Sequence, residues 1–217
     1  MASIPAELHD FYRERGARDR LRLAQRWYGS PFAAVEPFVP EDGTIVDAGC
    51  GFGLFSALLA LAETERTVVG IDIDARKVER GRAIFRRVPN LRLTIGDLAT
   101  AEFPPCSCVV LYDVLHHLRD TTVDRVIALA HARLKPGGVL IVKENDTGPL
   151  WKRAVAEAHE SVAVFGGITA SDPWRFRTRD AWSRVIVGAG FEVRHAQSLA
   201  CHGYGRMWPH SLFIGVK

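Results

Sequence analysis

The 217-residue chain predicts an α/β fold, a parallel sheet covered by helices on both faces. Three observations point there. From about Thr44 onward, short β-branched runs alternate with helical patterns. The run Cys108–Tyr112 is apolar without interruption, as a strand buried on both faces is. A glycine-rich turn stands at the first strand-to-helix junction, where such folds receive ligands.

The elements follow in order. Residues 1–40 carry one helix ending near Trp27, then the loop Gly29-Ser30-Pro31. Thr44–Val46 is a short strand ending at Asp47, and Leu54–Glu63 is a helix rich in Leu and Ala. Thr67–Ile71 is the second strand and Ala75–Arg87 a charged helix. Leu91–Ile95 alternates apolar and polar residues, and Cys108–Tyr112 is the fourth strand. Thr122–Leu134 places Val123, Val126, Ile127, Ala130 and Leu134 on one helical face. Lys135-Pro136-Gly137-Gly138 reads as its stop, with Pro and Gly just past the last turn. Val139–Val142 is the fifth strand, followed by helix Arg179–Gly188 and strands Phe191–His195 and Leu212–Val216.

Two segments lie outside this rhythm, residues 1–40 and the insertion 144–178 after the fifth strand. In the insertion, Trp151, Val155, Ala158, Val162 and Phe165 recur at helical spacing, with Gly166-Gly167 as terminator. The organisation expected is an N-terminal helical lid (1–40) and one domain (41–217) with a lid-like insertion at 144–178. Both segments either close over the C-terminal edge of the sheet or cover core surface.

Composition narrows the classes. Hydrophobic residues make up 47% and charged residues 24%, which is ordinary globular usage. A net charge of +3 gives little support to a dedicated nucleic-acid binder. Cys50, Cys106, Cys108 and Cys201 are too few for a disulfide scaffold and lack paired metal spacing. Met1–Gly16 has no apolar signal core, and the apolar stretch Ala48–Ala62 is too short to span a bilayer, so no transmembrane segment is expected. The expectation is a soluble, cytoplasmic protein.

The strongest motif is Val46-Asp47-Ala48-Gly49-Cys50-Gly51-Phe52-Gly53. Its glycines let the backbone approach a ligand closely. The dinucleotide pattern G-x-G-x-x-G fails, because its third glycine would fall at Leu54 or at Ser56. No phosphate-loop lysine follows. Asp47 would repel a pyrophosphate but favours a cationic ligand.

At this point the chain resembles the class I S-adenosylmethionine-dependent methyltransferases, whose first motif, acidic-x-G-x-G-x-G, is met by Asp47, Gly49, Gly51 and Gly53. Further landmarks follow in order: Gly70-Ile71-Asp72, Gly96-Asp97-Leu98, Asp113 after the fourth strand, and Leu134-Lys135-Pro136-Gly137-Gly138 before the fifth. The motifs cover about Asp42–Glu144. The resemblance implies a Rossmann-like, seven-stranded, mostly parallel sheet with its last strand antiparallel. It implies S-adenosylmethionine as cofactor and S-adenosylhomocysteine as product. Asp72 would take the ribose hydroxyls and Asp97 the adenine amino group, with the backbone beside it reaching the ring. The cofactor residues expected are thus Asp47, Gly49, Cys50, Gly51, Gly53, Asp72, Ile73, Asp97, Leu98 and Asp113.

Methyl transfer from a sulfonium requires the acceptor to be held in line, and a base where the acceptor must lose a proton. Asp113, His116 and His117 are the catalytic candidates. Histidine titrates near neutrality and suits deprotonation of a hydroxyl. The two imidazoles of a turn diverge, so one of them is expected to face the site. The His-His stretch resembles ubiquinone/menaquinone-type small-molecule methyltransferases. Tyr28, Trp151, Lys152 and His210 are the candidates for binding the acceptor. No metal is expected. Catechol-type relatives use an Asp after strand four and an Asp-Asn pair, whereas here Asn145 precedes Asp146.

The acceptor expected is a small molecule, free or borne on a carrier protein, methylated at oxygen or carbon. Quinone, polyketide, phenolic and lipid-like compounds fit the aromatic content. The Asn/Asp-Pro-Pro-Tyr/Phe motif of amino-directed enzymes is absent after strand four, and no Cys stands there for cytosine chemistry. No nucleic-acid partner is expected. Arginines gather at Arg13–Arg26 and at Arg175, Arg177 and Arg179, which keeps an RNA or protein methyltransferase open as an alternative. A non-catalytic regulatory protein that binds S-adenosylmethionine is the second alternative.

Overall fold

The apolar runs assemble into one sheet. A computed structural model describes residues 3–13, 15–165, 176–201 and 203–217. Its strands are Gly43–Ala48 (β1), Arg66–Asp72 (β2), Leu91–Ile95 (β3), Cys106–Tyr112 (β4), Leu134–Asn145 (β5), Glu192–Ser198 (β6) and His210–Val216 (β7). They form a seven-stranded sheet in the order β3-β2-β1-β4-β5-β7-β6. β1 pairs in parallel with β2 and β4, β2 with β3, and β4 with β5. β7 runs antiparallel between β5 and β6, the arrangement the resemblance implies.

Strand periodicity divides the core into two layers. Ile45 of β1 faces a cluster built with Leu23, Trp27, Phe55 and Tyr112, while its neighbour Val46 faces one built with Val126, Ile127, Trp182 and Ile186. Helices Ala6–Arg13 (α1), Ala17–Gly29 (α2), Phe32–Val35 (α3), Leu54–Ala62 (α4) and Ala75–Ile84 (α5) contribute to the first layer or flank it. Asp120–Arg133 (α6) and Arg179–Gly188 (α8) cover the second. The central β4 is buried at every position, whereas the edge strand β6 is largely exposed.

Three expectations change. The single N-terminal helix is two, because Gly16 is extended (φ −61°, ψ 161°) and starts α2 afresh. Lys135–Gly138 is not a loop after a helix. β5 begins at Leu134, directly where α6 ends, and Leu134 bridges Cys106. Lys135 precedes Pro136, which disfavours the helical region there and sends the chain into extended backbone. The insertion begins after Asn145, not at residue 144, because Glu144 and Asn145 pair with Ser211 and His210 of β7. Its helix is Leu150–Phe165 (α7). The expected terminator Gly166-Gly167, along with Trp174 and Arg175, lies outside the described residues.

Candidate functional site

A cleft of about 1490 Å³ opens at the C-terminal edge of the sheet, roofed on one side by α2. The glycine loop forms its floor. Gly49 and Gly51 hold φ of +89° and +56°, which glycine adopts without strain. A Cβ on Gly49 would strike the Val114 side chain, whereas one on Gly51 would meet no protein atom within 4 Å. The space over Gly51 is therefore a cradle that a side chain would fill. The Gly51 amide donates to Asp72 Oδ2 at 2.7 Å and the Asp74 amide to Oδ1 at 2.9 Å. That fixes the Asp72 carboxylate and leaves lone pairs on both oxygens for a ligand's hydroxyls. Beside it Ile73 is 62% exposed, an apolar wall, with Asp97 and Leu98 on the same side of the cleft.

Asp47 is the penultimate residue of β1, beneath this loop, and is buried, its carboxylate accepting the Ser56 hydroxyl. Burial pushes its pKa up to about 6, and the neighbouring Asp72 adds to that, while the Ser56 bond opposes it. Burial and these same two carboxylates hold the Cys50 thiol protonated, its pKa well raised.

Asp113 follows β4 in the left-handed region (φ +52°), with its amide donating to the Lys143 carbonyl at 2.9 Å. Its Oδ1 accepts from the buried Lys143 ammonium, and its Oδ2 lies 3.5 Å from Arg26 of α2. Burial would raise its pKa, but Lys143 and then Arg26 outweigh that and hold the carboxyl well below the usual range.

His116 follows in the turn Leu115–His117 and is buried. Its Nδ1 lies 2.6 Å from Glu144 Oε2, itself wholly buried in β5. Glu144 Oε1 accepts the amides of Val114 at 3.0 Å and Leu115 at 2.7 Å. With so many donors converging, Glu144 is the acceptor, so Nδ1 carries the proton and Nε2 is the basic nitrogen of the neutral ring. The Phe176 ring packs against His116 at 5.4 Å between centroids. Both His116 and His117 line the cleft, their rings 4.0 Å apart, where one was expected to.

His210 lines the cleft from β7 and donates through Nε2 to the Gly205 carbonyl at 2.9 Å. Burial, helped by the Lys143 charge, lowers its pKa to about 3, so the ring is neutral. Gly53 does not line the cleft: it caps the start of α4, where a Cβ would strike the Leu93 side chain. Tyr28 packs against the core. Trp151 projects to solvent with the Lys152 ammonium over its ring, and neither forms part of the wall. The sequence singles out neither Lys143 nor Trp208, and it offers Arg26 only as one of the arginines gathered at Arg13–Arg26. The signal for Glu144 is the charged pair Lys143-Glu144 continuing a wholly apolar strand, a place where buried charge must be paired.

A family model described as a methyltransferase domain matches residues 45–138, from β1 through the start of β5, taking in the glycine loop, Asp72, Asp97 and Asp113. Over that span the chain matches the methyltransferase domain, and it is similar to the class I S-adenosylmethionine-dependent methyltransferases. Trans-aconitate 2-methyltransferase of Deinococcus radiodurans is 31% identical over 168 residues, 75% of this chain and 60% of that protein. The chain spans from about a third to three fifths of the length of such curated relatives. A putative methyltransferase from a complex with the Haloferax volcanii Trm112 activator shares the fold at TM-score 0.74 and 17% identity, covering 99% of both chains. Human N-acetylserotonin methyltransferase, solved with its cofactor, does so at 0.67 and 19% identity, covering 99% of this chain and 60% of that one.

The family's cofactor is S-adenosylmethionine, and the cleft fits it. The Gly51 cradle, the amide-fixed Asp72 carboxylate, the apolar Ile73 wall and the anionic floor suit a cationic adenosine derivative. Among the described residues no group of three His, Cys, Asp or Glu is placed to hold a metal ion. No helix among them is long and apolar enough to cross a membrane.

Proposed function

We propose that this chain methylates a hydroxyl of a small molecule, with His116 as general base and Glu144 as the residue that positions it. The observation that carries this reading is the Glu144–His116 pair, buried in the wall of the cleft that holds the glycine loop. S-adenosylmethionine, when bound, supplies a methyl carbon already activated by its sulfonium.

The work of the chain is to hold, dry and deprotonate. Asp72, Asp97 and Leu98 would hold the adenosine, with Asp47 and the glycine loop beneath the sulfonium. Glu144 fixes the tautomer of His116, so that Nε2 takes a hydroxyl proton, and it stabilises the resulting imidazolium. Phe176 and Trp208 help to shield the acceptor from water. A carboxylate acceptor is ionised at neutral pH and needs no such base, so the dyad favours a hydroxyl.

The arginine patches give less support to a nucleic-acid substrate. Arg13 pairs with Asp10, Arg22 with Asp19, Arg26 with Asp113, Arg177 with Asp120 and Arg179 with Asp146.

The test is turnover on a panel of phenolic, aliphatic hydroxyl and carboxylate acceptors. His116→Gln should lower kcat on a hydroxyl acceptor by about 10²–10⁴-fold, with S-adenosylhomocysteine affinity unchanged. Glu144→Gln, which keeps the geometry but removes the charge, should lose less. Full turnover in His116→Gln, or methylation confined to carboxylates, would overturn the reading.

A further inference from the structure

Two buried hydrogen-bond acceptors stand side by side in the wall of the cleft. Asn145 closes β5 and His210 opens β7, and the two are paired directly across the antiparallel strands. Residues so placed share one face of the sheet, with Cβ atoms about 4.5–5.5 Å apart. Both line the cleft, at 5% and 4% exposure. Asn145 Oδ1 and His210 Nδ1 nevertheless have no hydrogen-bond partner among the described residues. The Nε2 of His210 gives its hydrogen to the Gly205 carbonyl, so Nδ1 of the neutral ring carries a lone pair. A carbonyl oxygen and a ring lone pair cannot satisfy each other.

Buried polar atoms are paired as a rule, because each one left without a partner costs the fold. Close by, the rule is met: the hydroxyl of Ser211, the next residue of β7, donates to Asp146 Oδ2 at 2.6 Å. Asn145 and His210 depart from it where the wall opens on the cleft. What they lack is a donor, and the surrounding charge decides its kind. Burial and then the Lys143 ammonium, which outweighs Asp113 at this point, keep the His210 ring neutral. The same ammonium opposes a cationic ligand there, so the missing donor is a neutral O–H or N–H.

We propose that Asn145 Oδ1 and His210 Nδ1 form a subsite for the methyl acceptor, which carries a second, neutral O–H or N–H besides the hydroxyl that reacts. This rests on the reading of the cleft as the seat of hydroxyl methylation. The end of β5 divides the work between its two faces. Glu144 falls on the face of Leu140 and Val142, toward α6 and α8, and holds His116. Asn145 falls on the face of Ile141, toward the N-terminal helices, beside His210. The acceptor is thereby gripped at one group and deprotonated at another. A compound with a single hydroxyl would leave both atoms unpaired, and the subsite selects against it.

The test is calorimetric titration of the whole chain, loaded with S-adenosylhomocysteine, with three probes of similar size. Catechol and ortho-aminophenol carry an O–H or N–H beside a hydroxyl, and guaiacol lacks it. The wild type should bind catechol, ortho-aminophenol or both about 10- to 100-fold more tightly than guaiacol. The tighter of the two tells O–H from N–H. Asn145→Leu, close in volume but apolar, should erase that preference while binding guaiacol at least as well, and His210→Phe is the second such variant. Equal affinity for the three probes in the wild type, no binding of any, or a preference that survives both substitutions overturns the proposal. So does an equal loss for all three probes in the variants, which would mark a structural role. The two readings part in His116→Gln, where turnover should fall with the preference intact. A preference without hydroxyl turnover in the wild type removes the role of His116 and keeps the subsite, and turnover without preference does the reverse.

Discussion

Asp47 is a carboxylate sealed under a loop, and its titration links the fold to its ligand. Burial raises its pKa from the ordinary carboxylate range to about 6, so the folded chain holds that proton more tightly than the unfolded one. The sign follows: between about pH 4 and 6, ionising Asp47 costs stability in the fold and not in the unfolded chain. A bound cation reverses the preference, since it favours the ionised form. S-adenosylmethionine affinity should therefore fall as pH drops through 6, by up to about tenfold per pH unit, and Asp47→Asn should flatten that dependence. A wild-type affinity that is level from pH 7 to 5 would contradict the assignment.

The same scale shows what residue identity discloses. Asp47, Gly51 and Asp72 were legible because a loop spacing and a strand end bring them to one edge whatever the packing elsewhere. Tyr28 and Trp151 were not. Large aromatics serve a core, a surface or a pocket equally well, and here one packs on the core and the other faces solvent.

At the scale of elements, one buried side chain ties the N-terminal helices to the sheet. Arg66 opens β2 and is 2% exposed. Its guanidinium donates to Glu36 Oε1 at 2.8 Å and to the carbonyls of Pro40, Leu59 and Val39 at 2.7, 3.0 and 3.0 Å. It thus fastens the turn Glu36–Phe38 and the end of α4 to the second strand. Arg66→Ala would leave a carboxylate and three carbonyls without a donor, so urea unfolding should show a loss of about 3 kcal/mol. A change below about 1 kcal/mol would mean that the cluster carries no load. Arg66 lies just outside the strand the sequence predicts, Thr67–Ile71, and nothing local marks an arginine as buried.

Elements were otherwise legible where one rule governed. Leu91–Ile95 and Arg179–Gly188 stand at the expected bounds, set by their own alternation and helical period. Lys135–Gly138 failed because two rules compete there: Pro and Gly after a helix suggest a turn, yet pairing with β4 draws the segment into the sheet.

Across the whole molecule, the cleft is assembled from both ends of the chain, from Arg26 on α2 to His210 on β7. A ligand there should hold distant elements together. S-adenosylhomocysteine at a hundred times its Kd should add about 2.7 kcal/mol, or about 5–10 °C in Tm for a chain of this size. Gly51→Val, whose side chain would enter the cradle, should abolish that shift while the chain still unfolds cooperatively. A shift retained in Gly51→Val would place the ligand elsewhere.

By itself, the sequence determined the alternation of strands and helices, the ligand edge and the sign of charge the loop prefers. Those properties are local: hydrophobic period, glycine's access to positive φ, and a carboxylate at a strand end. Only the tertiary structure decided that Glu144 orients His116 and that Lys143 and Arg26 share Asp113. These partners lie far apart in the chain. They meet because the parallel register of β4 and β5 sets Tyr112 opposite Lys143, and because α2 docks across the same edge. Side chains that face one another across strands are chosen by register and docking, which no local pattern records.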